Sequence, residues 1–203
     1  MLRFKIFAVP IEVSFWALLL VSCAVVSSVK GQEIVLVCLL CTLIHESGHL
    51  LMICKVKGKP QSIIVNPFEI RINSELSDVT LKEEILIVSF GVIFNLMFSL
   101  VAGLLYLIFP FEIFLQISIS SLCIGMLNLM PVESLDGGQL FAIILNRLFS
   151  QNVADKIIDV VGVVFILPIA ITGVAVLFIS KYNFSVLFIA LFLFSIYISK
   201  ELR

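Results

Sequence analysis

The chain contains two histidines, and they stand four residues apart in His45-Glu46-Ser47-Gly48-His49. On a helix, residues i and i+4 share a face, so two imidazoles at this spacing can reach one metal ion. Glu46 beside them can take a proton from a water held at the metal. This is the spacing of zinc-dependent hydrolysis, and here it falls inside an apolar stretch. With no third histidine in the sequence, a third protein ligand has to be a carboxylate or a thiolate. Asp136 and its neighbour Glu133 are candidates, both within Asn128-Leu129-Met130-Pro131-Val132-Glu133-Ser134-Leu135-Asp136-Gly137-Gly138. Cys41, one turn before His45, is a third. Asp136-x-x-Gln139 also reads as a capping box ahead of the apolar run Leu140–Leu148. Cap and ligand are compatible, because a carboxylate has two oxygens. Pro131 and the glycine pair interrupt regular helix and let the carboxylate turn back toward the histidines. The bland alternative treats the motif as coincidence and Glu46 as an interfacial residue near Lys55. A carboxylate inside a bilayer costs energy, ~2.5–3.5 kcal/mol on insertion scales for Asp, and asks for a function.

The elements that must position these residues are membrane helices. Of 203 residues, 61% are hydrophobic and 13% are charged, against roughly 25% charged in soluble domains. A net charge of -1 gives no electrostatic case for nucleic acid as a partner. The expected fold is an all-α polytopic membrane protein with about six transmembrane helices. The spans read as Ile11–Val29, Glu33–Cys54, Lys82–Phe109, Glu112–Met130, Ile157–Ile179 and Tyr182–Ser199. A small β-hairpin or re-entrant segment is expected between the second and third, from Gln61–Val65 and Phe68–Ile72 around Asn66-Pro67. Ser150–Asp155 reads as a polar linker. Pro168 and Gly173 permit a kink in the fifth span. Residues 1–203 are expected to form a single membrane domain, with a retained first helix rather than a cleaved signal and no appended soluble domain.

Basic residues orient the spans. With the N-terminus in the cytoplasm, Arg3, Lys5, Lys55, Lys57, Lys59, Arg71, Lys82, Arg147, Lys156, Lys200 and Arg203 fall inside. Lys30 and Lys181 alone fall outside. The bias predicts both termini in the cytoplasm. The second and fourth spans then run inward, which brings the histidines and the segment after Met130 to similar depth near the cytoplasmic side of the cell membrane.

The two motifs together, His45-Glu46-x-x-His49 and Asn128-x-x-Pro131-x-x-x-Leu135-Asp136-Gly137-Gly138, resemble the site-2 protease family of intramembrane zinc metalloproteases. Within it the chain is most similar to the small bacterial branch typified by the stage IV sporulation protein FB. The resemblance runs from the first span through Asp-Gly-Gly. It implies one Zn2+ per chain held by His45, His49 and Asp136, with Glu46 as catalytic acid and base. Gly91-Val92-Ile93-Phe94-Asn95 is similar to the family's Gly-x-x-x-Asn. Asn95 and Asn128 are therefore substrate-binding candidates, with interhelical hydrogen bonding as the competing role. Asn66-Pro67-Phe68 is similar to a family loop that pairs with substrate as an added strand. Ser134 stands where a second proline is common, and Val92 where proline often follows the glycine.

The resemblance implies membrane protein substrates within the lipid bilayer, such as pro-sigma or anti-sigma factors, and membrane regulatory proteins as further partners; the oligomeric state is left open. A rival of another class is a membrane zinc-binding regulator or transporter without proteolysis. It leaves Glu46 without a chemical task and lacks a run of polar residues across spans one, five and six. A catalytically silent chaperone for membrane helices is disfavoured by the intact motif. The five cysteines, Cys23, Cys38, Cys41, Cys54 and Cys123, read as small buried apolar residues rather than disulfide partners.

Overall fold

The computed structural model describes residues 2–6, 9–29, 31–66, 69–74, 79–180 and 191. Strands β1 (Leu2–Ile6) and β2 (Val9–Val13) precede helices α1 (Phe15–Val29) and α2 (Ile34–Lys57). Strands β3 (Ser62–Asn66) and β4 (Glu69–Asn73) follow, then helices α3 (Leu81–Ile108), α4 (Glu112–Asn128), α5 (Asp136–Leu148) and α6 (Gln151–Ser180). The chain divides into two compact units, residues 1–126 and residues 127–203.

The first unit joins a small sheet to a helical bundle. The sheet has the order β1-β2-β3-β4. Its outer pairs are antiparallel and its central pair, β2 with β3, is parallel, with Ile11 opposite Ile63 and Val13 opposite Val65. Parallel neighbours need a crossover connection, and α1 with α2 supplies it. The expected hairpin at residues 61–72 is present as β3 and β4, but it is half of a larger sheet. The apolar pattern places the start of the first span at Ile11. Residues 11–13 pair with β3 instead, which shortens the helix to 15 residues. Ser14 marks the junction: its N–H donates to the Val65 carbonyl at 2.9 Å, and its Oγ accepts from the Ala17 N–H at 3.2 Å.

The long helices have plain local causes. Apolar side chains on nearly every face exclude a soluble amphipathic packing. In α2, Gly58 takes φ 82° just past the last turn, and its N–H caps the Cys54 carbonyl at 3.1 Å. Lys55 and Lys57 complement the negative end of that helix. In α3, Thr80 and Glu83 form a capping box, the Thr80 N–H donating to Glu83 Oε2 at 2.8 Å.

Among the described residues three helices, α2, α3 and α6, are long and apolar enough to cross a membrane. At 1.5 Å per residue the 24 residues of α2 cover about 36 Å, above the ~30 Å hydrocarbon thickness. Helices α1 and α4 are apolar but have 15 and 17 residues, short of the ~20 that a perpendicular span needs. Six independent spans are thus not what the described residues display. The expected sixth, Tyr182–Ser199, lies outside the described residues apart from residue 191.

Helices α2, α3 and α4 pack through small and polar residues. Ser99 Oγ donates to the Ser118 carbonyl at 2.8 Å, and Ser118 Oγ returns a bond to the Ser99 carbonyl at 2.9 Å. Met52, Ile53 and Ile87 form an apolar core beside the sheet, packed with Val56, Ile72, Val79 and Phe90.

The second unit holds the end of α4, a bent segment over residues 129–135, α5 and α6. Leu145, Ala154 and Ile158 bury the contact between its two helices. Val132 and Ile166 pack the bend onto α6. The stretch read as a polar linker, Ser150–Asp155, is helical from Gln151 onward. The Ser150 carbonyl accepts from the N–H groups of Val153 and Ala154 at 2.9 and 3.0 Å, which starts the helix there.

Candidate metal centre

The buried residues of α2 include Val37, Cys41, His45, Gly48 and Met52, at the three-and-four spacing of one helix face. On α3, Ile87, Gly91, Asn95 and Ser99 recur every four residues on the buried face. The two stripes meet antiparallel, which sets His49 against Ile87 and Gly91, and His45 against Asn95.

The closeness of that meeting is dictated by glycine. A Cβ on Gly48 would collide with the Phe90 backbone, and a Cβ on Gly91 would occupy the space of the His49 ring. Gly91 therefore opens the slot that His49 fills. His49 Nδ1 lies 2.8 Å from the Ile87 carbonyl oxygen. That oxygen can only accept, so Nδ1 carries the hydrogen and the lone pair of the neutral ring resides on Nε2. His45 is 4% exposed, and its Nδ1 lies 3.3 Å from the Asn95 carboxamide nitrogen.

The two rings meet edge to face, with centroids 4.8 Å apart and planes at 78°. Their Nε2 atoms are 3.2 Å apart. Two nitrogens on a tetrahedral zinc, each at ~2.0–2.1 Å, would be separated by about 3.3 Å. The histidine pair thus has the spacing of two corners of a zinc site. Glu46, next in sequence to His45, is half-buried.

In the second unit Asp136 is the first residue of α5 and is buried at 8% exposure. The capping box read from Asp136 and Gln139 does not form: Leu135 occupies the cap position, and no side-chain cap bond is made. Two glycines fix the carboxylate instead. A Cβ on Gly137 would strike the Leu129 and Met130 carbonyls, and one on Gly138 would strike the Val132 carbonyl. The start of α5 is thereby pressed against the preceding bend. The first turn of a helix also favours a negative charge. Glu133 is exposed. Cys41 is fully buried in the first unit, and its Sγ faces the Ile117 carbonyl on α4 at 3.8 Å. Asn128, the last residue of α4, is half-buried. All five cysteines are free.

His45, His49 and Asp136 each offer a ligand atom that divalent metals accept, an imidazole nitrogen or a carboxylate oxygen. Two groups that the sequence did not single out complete the histidine pair: the Ile87 carbonyl and Ser121. Ser121 Oγ donates to the Asn95 carbonyl at 2.9 Å and lies 3.3 Å from Asn95 Oδ1. Serine is common in apolar helices as a packing residue, so its type alone carried no signal.

No protein-family model and no curated protein sequence matches the chain. Among solved structures the chain has the fold of the site-2 protease from Methanocaldococcus jannaschii, with a TM-score of 0.68. That match covers 95% of this chain and 91% of the other at 20% sequence identity.

Proposed function

We propose that this chain is an intramembrane zinc metalloprotease of the site-2 protease family that hydrolyses peptide bonds of membrane proteins. The observation that carries the reading is the histidine pair, with Nε2 atoms 3.2 Å apart at zinc-site spacing, on a helix apolar enough to cross a membrane. The shared fold with a site-2 protease supports it, as does the Glu46 side chain directly after His45. Asp136 is the third protein ligand in this reading. Two imidazoles alone leave a zinc site short of protein ligands. Glu133 is exposed and Cys41 is turned to Ile117, whereas Asp136 is buried and held at a helix start.

When bound, zinc would supply a Lewis acid able to bring the pKa of water toward ~7. The protein's own groups then act in order. His45 and His49 hold their lone pairs toward one point. Glu46 takes a proton from the attacking water and later passes it to the leaving amine. The buried faces of α2 and α3 keep bulk water away from these groups. A substrate helix hides its carbonyls in hydrogen bonds and must unwind before attack; strand pairing along the outer edge of β4 would hold it open. We assign Asn128 to substrate positioning, the substrates to transmembrane or membrane-tethered regulatory proteins such as pro-sigma or anti-sigma factors, and the closest functional kinship to the small bacterial branch of the family.

The test is cleavage of a model membrane substrate by purified, reconstituted protein. Glu46→Gln should bind zinc normally and lose at least about 100-fold in turnover, the scale of a general acid–base contribution. Turnover at the wild-type rate would refute the role. A zinc chelator should abolish cleavage and added zinc should restore it; activity that persists in metal-free protein would refute the metal dependence.

A further inference from the structure

Asn95 is fully buried in the middle of α3, in a segment otherwise made of apolar residues. A carboxamide in that position needs partners for both its ends. Its side chain has two, His45 Nδ1 at 3.3 Å and Ser121 Oγ at 3.3 Å. Both are fixed by helices, so the carboxamide is held between α2 and α4. It does not project from the bundle toward an incoming chain.

We propose that Asn95 and Ser121 are a positioning pair for the metal ligand His45, with no direct contact to substrate. This rests on the functional reading above. An imidazole that gives Nε2 to a metal must carry its hydrogen on Nδ1 and needs an acceptor there. The oxygen and nitrogen of a carboxamide exchange places by a half turn, and the surrounding bonds decide which end faces which group. In the structure Nδ2 faces His45 and Oδ1 faces Ser121; a half turn puts Oδ1 toward His45, where it accepts the Nδ1–H of the ligand. Asn95 Nδ2 then donates to Ser121 Oγ. Ser121 passes its own hydrogen to the Asn95 backbone carbonyl, 2.9 Å away. Each of these three hydrogens finds an acceptor. His49 gets the same service from the Ile87 carbonyl at 2.8 Å. One ligand is thus oriented by backbone and the other by a side-chain relay, and only the second has an acceptor that a substitution can remove. Gly125 on α4 belongs to the same arrangement: a Cβ there would press on Asn95 Cβ at 3.3 Å.

The experiment uses purified full-length chain in detergent, with zinc affinity measured by chelator competition and histidine-selective 15N labelling. Because the chain has two histidines, four ring nitrogens account for the whole spectrum. In zinc-loaded wild type, the His45 Nδ1 hydrogen should be protected from exchange. Asn95→Leu, which keeps the branched shape and removes the acceptor, should lose that protection and weaken zinc binding about 10–100-fold. Asn95→Asp, which restores an acceptor, should recover both. Ser121→Ala should weaken binding less than Asn95→Leu. Unchanged zinc affinity and a still protected His45 hydrogen in folded Asn95→Leu would overturn the assignment. So would a freely exchanging His45 Nδ1 hydrogen in zinc-loaded wild type, a result that needs no variant. A wild-type chain that takes up no zinc would instead undo the metal-centre reading itself, and this role with it.

Discussion

Gly91 governs His49 more directly than any polar residue does. The imidazole occupies the volume that a Cβ on Gly91 would fill, and only from there does Nδ1 reach the Ile87 carbonyl. Gly91→Ala should therefore push the ring out of its slot. Overpacking at a close backbone contact costs about 1–3 kcal/mol. If that strain is relieved by turning His49 away, zinc affinity falls by about tenfold or more, since 1.4 kcal/mol is one decade. Zinc titration of the variant checks this, and a wild-type dissociation constant would show that the ring has another resting place. The sequence made His45, Glu46 and His49 visible because their chemistry is local: spacing alone puts two imidazoles on one face. It matched Gly91 and Asn95 to a motif without revealing their task. That task depends on which residues of α2 lie opposite, and a single sequence does not encode the register of two helices legibly.

The same distinction between local and distant causes runs through the elements. Helices α2 and α3 came out within a few residues of expectation, because continuous apolarity, the Thr80 capping box and Gly58 act within one segment. The strands before α1 did not. Val9–Val13 is apolar enough to extend a helix, and it is a strand because Ser62–Asn66, some fifty residues later, offers a parallel partner. The start of α5 departs from the capping-box pattern for a related reason. Asp136 resembled a cap, yet the helix begins one residue earlier because Gly137 and Gly138 let the turn settle against the carbonyls of residues 129–132. Gly138→Ala should lift that turn by forcing a methyl group onto the Val132 carbonyl. The expected result is a loss of stability of about 1–3 kcal/mol, together with reduced zinc occupancy if Asp136 is the third ligand. Thermal unfolding in detergent and metal analysis read the two effects separately. Asp136→Ala should remove zinc with a smaller change in unfolding of the zinc-free chain. Full zinc occupancy in that variant would return the ligand role to Glu133 or Cys41.

At the scale of the whole molecule the distribution of charge decides which side of the membrane the chemistry faces. Apolar side chains such as Leu100, Leu104, Leu107 and Ile108 stand exposed along α3, as a surface solvated by lipid requires. Basic residues cluster at one end of the helices: Lys55 and Lys57 close α2, and Lys59 follows it. The parallel pairing of β2 with β3 ties the start of α1 to that same end, because the crossover through α1 and α2 must begin and finish at the sheet. Arg3 and Glu12, in the strands leading to α1, are ion-paired at 2.9 Å. If the positive cluster is cytoplasmic, the other end of the α1–α2 pair, at Gln32, faces outward. Single cysteines at Gln32 and Lys57, in a chain whose five native cysteines are replaced, make this measurable. A membrane-impermeant thiol reagent applied to intact cells should label Gln32→Cys and spare Lys57→Cys until the cells are opened. The reverse pattern would place His45 and His49 toward the outer surface. The proposed cytoplasmic side of cleavage and the proposed regulatory substrates would both fall with it, although the histidine pair could still bind its metal.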